Sequence, residues 1–312
     1  MSILTVGTMA FDSIETPFGK VDHVIGGACT YISWAASYWY DHINLVSIIG
    51  DDFPESEIEA LVSRGVKTDG LVRVQGKKSF YWSGRYHNDM NGRDTLITDL
   101  NVLEDFSPIL PKSFQSSKFI MLGNLTPSIQ ASILDQLSDP PKLVILDTMN
   151  FWMDVAMDEL MKLLPRVDVL TVNDEEARQL SGERSLVKAA AVIHKMGPKY
   201  LVIKKGEHGA LLFYENQIFF APGLPVADVL DPTGAGDSFA GGMVGYLART
   251  NDISFNNMKT AIIYGSVMAS FCVEDFSLSK LKNLNQDEIY KRINQFENLS
   301  TFDVKELTVL NS

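Results

Sequence analysis

Asp231-Pro232-Thr233-Gly234-Ala235-Gly236-Asp237-Ser238-Phe239 decides how this 312-residue chain is read. Pro232 stiffens the approach, while Gly234 and Gly236 let the backbone turn tightly with its N–H groups uncovered. Phe239, Met243 and Leu247 follow at i, i+4 and i+8, the spacing of a helix's buried face. Successive free N–H groups at a helix N-terminus make an anion site, and the helix dipole strengthens it. Asp237 falls in that first turn. A carboxylate beside an anion hole is electrostatically awkward unless it does chemistry, and accepting a proton from an attacking hydroxyl suits it. A plain strand-to-helix turn with a helix-stabilising acid is the structural alternative.

Outward from this stretch, apolar β-rich runs recur at 3–7, 43–49, 119–122, 143–147, 167–172, 200–204 and 210–214. Helical spacing fills 28–40, 55–64, 128–137, 155–164, 175–181 and 186–196. Strands alternating with helices of this length predict βα units around a mostly parallel sheet. LVILD and YLVIK read as near-continuous apolar runs, as strands covered on both faces do. In such a sheet ligands sit outside the strands' carboxyl ends. There the chain places Gly7 and Asp12, Gly50-Asp51-Asp52, Gly123-Asn124, Asp147 with Asn150, Asn173 with Glu176, and Gly206 with Gly209. Any one of these reads as a turn or a cap, whereas the series predicts a cleft.

Segments 13–24 and 71–103 break the rhythm. VRV, SFYWSGRY and TLITDL alternate polar and apolar, as antiparallel strands with one wetted face do. Gly76-Lys77-Lys78 and Asn91-Gly92 supply turns. Together they predict a small sheet projecting from the main body, with two surface hairpins as the plainer alternative. The tail from Asn283 is polar and predicted helical around 287–297.

With 27 basic against 39 acidic side chains the net charge is −12, so no positive field draws nucleic acid or an anionic membrane, and neither is expected as a partner. Apolar residues at 46% and charged residues at 21% exclude a disordered chain. Cys29 and Cys272 are too few for a disulfide framework, which points to a reducing compartment. No apolar run long enough to span a bilayer occurs, and the first residues lack a leader's basic start, so a cytoplasmic protein is expected. G-x-x-x-x-G-K-[ST], complete G-x-G-x-x-G, H-E-x-x-H and G-x-S-x-G are all absent, and the five histidines are scattered.

DPTGAGDSFAGG closely resembles the carboxyl-terminal signature of the ribokinase-like (PfkB) carbohydrate kinase family, D-[TP]-x-G-A-G-D. Other landmarks of that family occur in order from residue 3 to about 282. Gly7-Thr8-Met9-Ala10-Phe11-Asp12 resembles its opening G-x-x-x-x-D, Gly26-Gly27 its diglycine, Asn173-Asp174-Glu175-Glu176 its N-x-x-E, and Lys205-Gly206-Glu207-His208-Gly209-Ala210 its K-G-x-x-G-A turn. The resemblance implies an α/β fold: a three-layer αβα sandwich with a mostly parallel sheet and a small β-sheet lid. The core would take 1–12, 25–70 and 104–312, and the lid 13–24 and 71–103. It implies ATP and Mg²⁺ as cofactors, with the γ-phosphate over Gly234, Ala235 and Gly236 and with Asp237 as base. Asn173, Glu176, Lys205, Gly206, Gly209 and Thr233 would face the nucleotide, Glu176 meeting Mg²⁺ through water. Asp231 would help hold a monovalent cation such as K⁺. Asp12, Gly26 and Gly27 would face substrate hydroxyls, and lid edges could pair two subunits.

One departure bears on substrate. Where many family sugar kinases place an Asn four residues after the diglycine, this chain has Tyr31, a hydroxyl and a ring face in place of a carboxamide. The lid segment is correspondingly rich in rings, Phe80, Tyr81, Trp82 and Tyr86, with Arg85 and Arg93 nearby. Such rings suit a cyclic substrate's apolar side or a nucleobase, or pack the lid against its partner strand. Trp82 is the ring assigned to substrate. Asn124 sits at a strand end from which family members also reach substrate. Because Asp12 and Asn124 offer hydroxyl contacts, the expected activity is ATP-dependent phosphorylation of a small sugar or polyol. A nucleoside kinase of adenosine or cytidine type comes second and an inositol-type kinase third. The rival from another class is a catalytically silent sugar or nucleotide sensor, against which the intact Asp237 and glycine turn speak.

Overall fold

Residues 1–301 and 303 are described by the computed structural model. The chain opens with β1 (Ile3–Val6), β2 (Ala10–Thr16), β3 (Gly19–Gly26), α1 (Ala28–Ala36), β4 (Ile43–Gly50), α2 (Glu55–Ser63) and β5 (Val66–Val74). Next come β6 (Phe80–Tyr86), β7 (Arg93–Asp99), β8 (Phe119–Leu122), α3 (Pro127–Asp135), β9 (Leu143–Asp147), α4 (Asn150–Val155), α5 (Met157–Leu163) and β10 (Val169–Asn173). Then follow α6 (Asp174–Ser181), α7 (Leu186–His194), β11 (Tyr200–Lys204), β12 (Ala210–Tyr214) and β13 (Gln217–Ala221). The last elements are α8 (Ala235–Thr250), α9 (Phe255–Cys272), α10 (Ser279–Lys282) and α11 (Gln286–Ser300).

Nine strands form one sheet in the order β13-β12-β11-β10-β9-β8-β1-β4-β5. It is parallel from β11 to β5, and β12 and β13 extend it antiparallel. The period of two divides the apolar residues between its faces. Along β9, Leu143 and Ile145 join one buried cluster with residues of α1, α8 and α9, whereas Val144 and Leu146 join a second with residues of α3, α5, α6 and α7. Removing both faces from water drives the three-layer αβα arrangement. Among the described residues no helix is long and apolar enough to cross a membrane. Cys29 and Cys272 are both free and buried.

Four further strands form a separate sheet, β3-β2-β6-β7, in which β2 and β6 run parallel and the outer pairs antiparallel. Its membership differs from the sequence reading. The VRV run belongs to β5, where Val72–Val74 pair with Ile48–Gly50 in the large sheet. It lies on the edge strand, where Val72 is exposed and Arg73 half-buried, so the alternation did not mark a wetted polar face, and the small sheet resumes only at Phe80. At the other end, β2 begins at Ala10 and β3 runs to Gly26, so Asp12 stands within the small sheet. The helix expected over 28–40 ends at Ala36, and the one expected over 155–164 is α5, from Met157 to Leu163, preceded by the unanticipated α4 that ends at Val155. β13 and α9 were not anticipated, while the tail helix appears as α11, opened by an Asn285–Glu288 capping box.

Candidate active site

The glycine turn enters α8 as its spacing requires. Gly234 is the N-cap, at φ 77°, a left-handed conformation that side chains with a Cβ rarely adopt. The Tyr31 ring lies against it, so that a Cβ on Gly234 would stand only 2.5 Å from Cε1 and Cε2 of that ring. Asp231 organises the approach. Fully buried, it accepts the Thr233 N–H at 2.8 Å through Oδ1 and the Ser277 N–H at 3.4 Å through Oδ2. The Ala235 N–H turns back to the Pro232 carbonyl and the Ser238 N–H to that of Gly234. Between them, the N–H groups of Gly236 and Asp237 find no protein acceptor among the described residues. Two adjacent free donors at the start of a sixteen-residue helix form an anion site.

Acids and one lysine surround this site. Asp147 ends β9 and accepts Thr171 Oγ1 at 2.6 Å and Lys204 Nζ at 2.8 Å on the same oxygen. Glu176 Oε2 accepts the Asn173 N–H at 2.7 Å while Asn173 Oδ1 accepts the Glu176 N–H, a reciprocal capping box that draws Glu176 inward. Burial, with Asp147 nearby, pushes the Glu176 pKa up to about 7 against the pull of Lys204. Asp237 has no hydrogen-bond partner among the described residues, and burial followed by the Asp147 charge raises its pKa, again opposed by Lys204 and Arg93. Burial dominates at Asp12 too, where the charges of Asp231 and Asp237 help lift the pKa to about 8. The Gly27 N–H donates to Asp12, and the carboxylate lies where a Cβ on Gly26 would be. That close approach is why the diglycine stands beside it.

The small sheet turns one face toward these groups. Asp12 and Trp82 are register partners on the parallel β2–β6 pair, so their side chains share a face, and Gly84 and Tyr86 continue it by the period of two. Tyr86 Oη accepts Thr233 Oγ1 at 3.1 Å, which ties this face to the glycine turn. Because Gly84 has no side chain, the benzene end of the Trp82 indole occupies the space a Cβ there would fill. Trp82 Nε1 donates to Thr95 Oγ1 at 3.3 Å, and the Arg93 guanidinium sits 5.6 Å from the ring centroid. Arg93 is the register partner of Tyr86, and its charge lowers the pKa of Asp12, Glu176 and Asp237 alike. The loop before it brings Asn91 Oδ1 to 3.1 Å from where a Cβ on Gly206 would stand, so the small sheet also reaches the turn after β11.

The carbohydrate kinase profile of the pfkB family matches residues 3–283, nearly the whole chain. The chain belongs to the pfkB family. Over 255 residues it is 28% identical to a cytidine kinase of Thermococcus kodakarensis, covering 80% of this chain and 89% of that protein. It is 40% identical over 237 residues to a 2-dehydro-3-deoxygluconokinase of Thermoproteus tenax, covering 70% and 71%. The fold matches that of a Burkholderia thailandensis nucleoside kinase solved with inosine, at a TM-score of 0.73 and 17% identity, covering 95% of this chain and 99% of the other. The chain is therefore a phosphotransferase, a carbohydrate or nucleoside kinase with an alcohol group as acceptor.

Set against the other pfkB landmarks, most of the expected site residues converge. Gly234, Ala235, Gly236 and Asp237 gather with Asp12, Gly26, Gly27, Thr233, Asp231 and Glu176. Three differ from expectation. Asn124 faces α4, where its Oδ1 accepts Trp152 Nε1 at 2.7 Å and its amide nitrogen meets Met149 Sδ at 3.0 Å. Tyr31 is 1% exposed and its hydroxyl has no partner, which makes it a wall beneath Gly234. Of the two adjacent lysines, Lys204 is the one paired inside the site, while Lys205 is half-exposed and its N–H only closes the turn onto Gly209. Lys204 and Thr171 were not singled out from sequence, whereas Asp147 was named only as a strand-end residue of the predicted cleft and Tyr86 and Arg93 only as lid residues, none of the three with a role. The readable signal was a charged residue ending an otherwise buried strand, in LVILD and in YLVIK.

Proposed function

We propose that this kinase phosphorylates a nucleoside with ATP. The observation that carries this is the pairing of Asp12 with Trp82 in register on one face. A carboxylate accepts two neighbouring ribose hydroxyls, and beside it a flat indole offers a stacking platform for the base. The sugar or polyol reading rested partly on Asn124, whose amide is engaged with Trp152. The cytidine kinase similarity along most of both chains supports the same choice.

In this reading the substrate hydroxyl attacks in line, with the two free N–H groups at the start of α8 stabilising charge on the transferred group. Asp237, raised in pKa and without a hydrogen-bond partner, accepts the hydroxyl proton. No three His, Cys, Asp or Glu side chains cage a metal among the described residues. Mg²⁺ keeps several of its waters and is held by one or two carboxylates and the nucleotide's phosphates. Glu176, with one oxygen left by its capping box, would hold it through water. When bound, Mg²⁺ neutralises phosphate charge. The small sheet acts as a lid, its Arg93 adding positive charge over the acids. A coupled ADP-release screen over nucleosides, sugars, polyols and sugar acids tests the proposal. Cytidine or another nucleoside should exceed every other acceptor in kcat/KM, and a sugar, polyol or sugar acid ranking first would overturn it.

A further inference from the structure

Lys204 closes β11, whose other four residues are buried. An ammonium carries three N–H donors. One is spent on Asp147 Oδ1 at 2.8 Å, and no other protein acceptor meets it among the described residues. Thr171 Oγ1 holds the same carboxylate oxygen from β10, so the lysine is tethered in place. Its Nζ stands 3.2 Å from where a Cβ on Gly236 would be, and beyond the turn's own residues the only other described atom within 4 Å of that point is its own Cε. Where Gly236 lacks a side chain, this ammonium thus faces the turn. The ion pair is well shielded, at 18% and 10% side-chain exposure. Burial works against the lysine's charge, yet Asp147, Glu176 and Asp237 outweigh it and the pKa ends above its ordinary value.

We propose that Lys204 is a phosphoryl-binding residue, the cationic wall of the anion hole. It directs its unspent N–H donors at the group in transfer, while Gly236 and Asp237 offer theirs from the backbone. Gly236 lacks a side chain because one would stand between that group and the ammonium. The inference rests on the kinase reading of the site and goes beyond it by assigning the charge that meets the transferred group.

Lys204→Met alone leaves Asp147 buried without its partner and risks misfolding. Lys204→Met/Asp147→Asn restores neutrality, and Asp147→Asn alone serves as control. Thermal unfolding is followed with Mg·ATP or Mg·ADP and no acceptor, followed by kcat on whichever substrate the screen accepts. Wild type and Asp147→Asn should be stabilised more by ATP than by ADP, and the double variant equally by both. In the double variant kcat should fall roughly 10²-fold or more, with KM for the acceptor within about threefold. If the double variant keeps the ATP increment and wild-type kcat, Lys204 is only the counter-ion of Asp147 and the proposal fails alone. Equal stabilisation of wild type by the two nucleotides also overturns it alone, whereas no stabilisation by either removes the kinase reading as well.

Discussion

At the scale of single residues, the site is a contest between burial and charge. Asp237 is the acid whose environment suits a base: raised in pKa, beside two free N–H groups, and without a hydrogen-bond partner among the described residues. Asp237→Asn keeps its size and polarity but removes the proton acceptor, so kcat should fall roughly 10²–10⁴-fold. ATP-induced stabilisation should persist, and turnover within threefold of wild type would remove Asp237 from the mechanism. Gly234 makes a second case. A Cβ there would meet the Tyr31 ring and take φ 77°. Gly234→Ala should destabilise by about 1–3 kcal/mol, and a cycle with Tyr31→Ala should show coupling, since that variant removes the clash but not the backbone cost. Denaturant unfolding of the four proteins measures it; additive effects would mean that the ring does not support the turn. The turn and its base were legible in DPTGAGD because spacing dictates a helix start. Which of Lys204 and Lys205 turns inward was not, because it depends on where the period of two falls along β11.

Among the elements, the small sheet matters most for choice of substrate. Register puts Trp82 beside Asp12 and Arg93 beside Tyr86, and the absent side chain of Gly84 makes room for the end of the indole. Trp82→Ala should raise KM for the nucleoside by one ring's worth of stacking, about 1–3 kcal/mol or roughly 5–150-fold, with kcat little changed. Should turnover instead fall alike on every accepted substrate, the ring would act in closure of the sheet over the site and not in recognition. The sequence showed alternation in this region but not which sheet each run joins. Val72–Val74 alternate as an edge of the large sheet, and only the pairing with Ile48–Gly50 tells them from the strands that follow. Asn124 shows the same limit: its strand end was correctly placed, but Trp152 comes from a helix whose start was not anticipated.

Across the whole molecule, the fold gathers acids that the chain keeps far apart. Net charge of −12 was readable from composition, but the convergence of the acids required three elements. The parallel sheet brings the ends of β9 and β10 together with Asp147 and Glu176, the turn into α8 carries Asp231 and Asp237, and the small sheet supplies Asp12. That convergence has a thermodynamic consequence. Burial raises Asp12 to about 8 and Glu176 to about 7, and it raises Asp231 and Asp237 as well. Unfolded, these groups titrate near 4, so between about pH 4 and pH 8 the folded chain holds more protons than the unfolded one. Stability then falls as pH rises through that window, being fully present below the unfolded values and lost once the folded values are passed. Without nucleotide, Tm should therefore decline from pH 5 to pH 8. Asp12→Asn removes the most strongly shifted of the groups given a value, and its neutral amide needs no proton to stay buried. It should flatten the decline and raise Tm at pH 8 more than at pH 5, while kcat/KM for the acceptor falls steeply, because the buried contact to two hydroxyls is broken. Differential scanning calorimetry of both proteins across the range decides it. An Asp12→Asn Tm that tracks wild type at every pH would mean that Asp12 is ionised in the folded chain at neutral pH, and that Arg93 and the Gly27 N–H outweigh its burial.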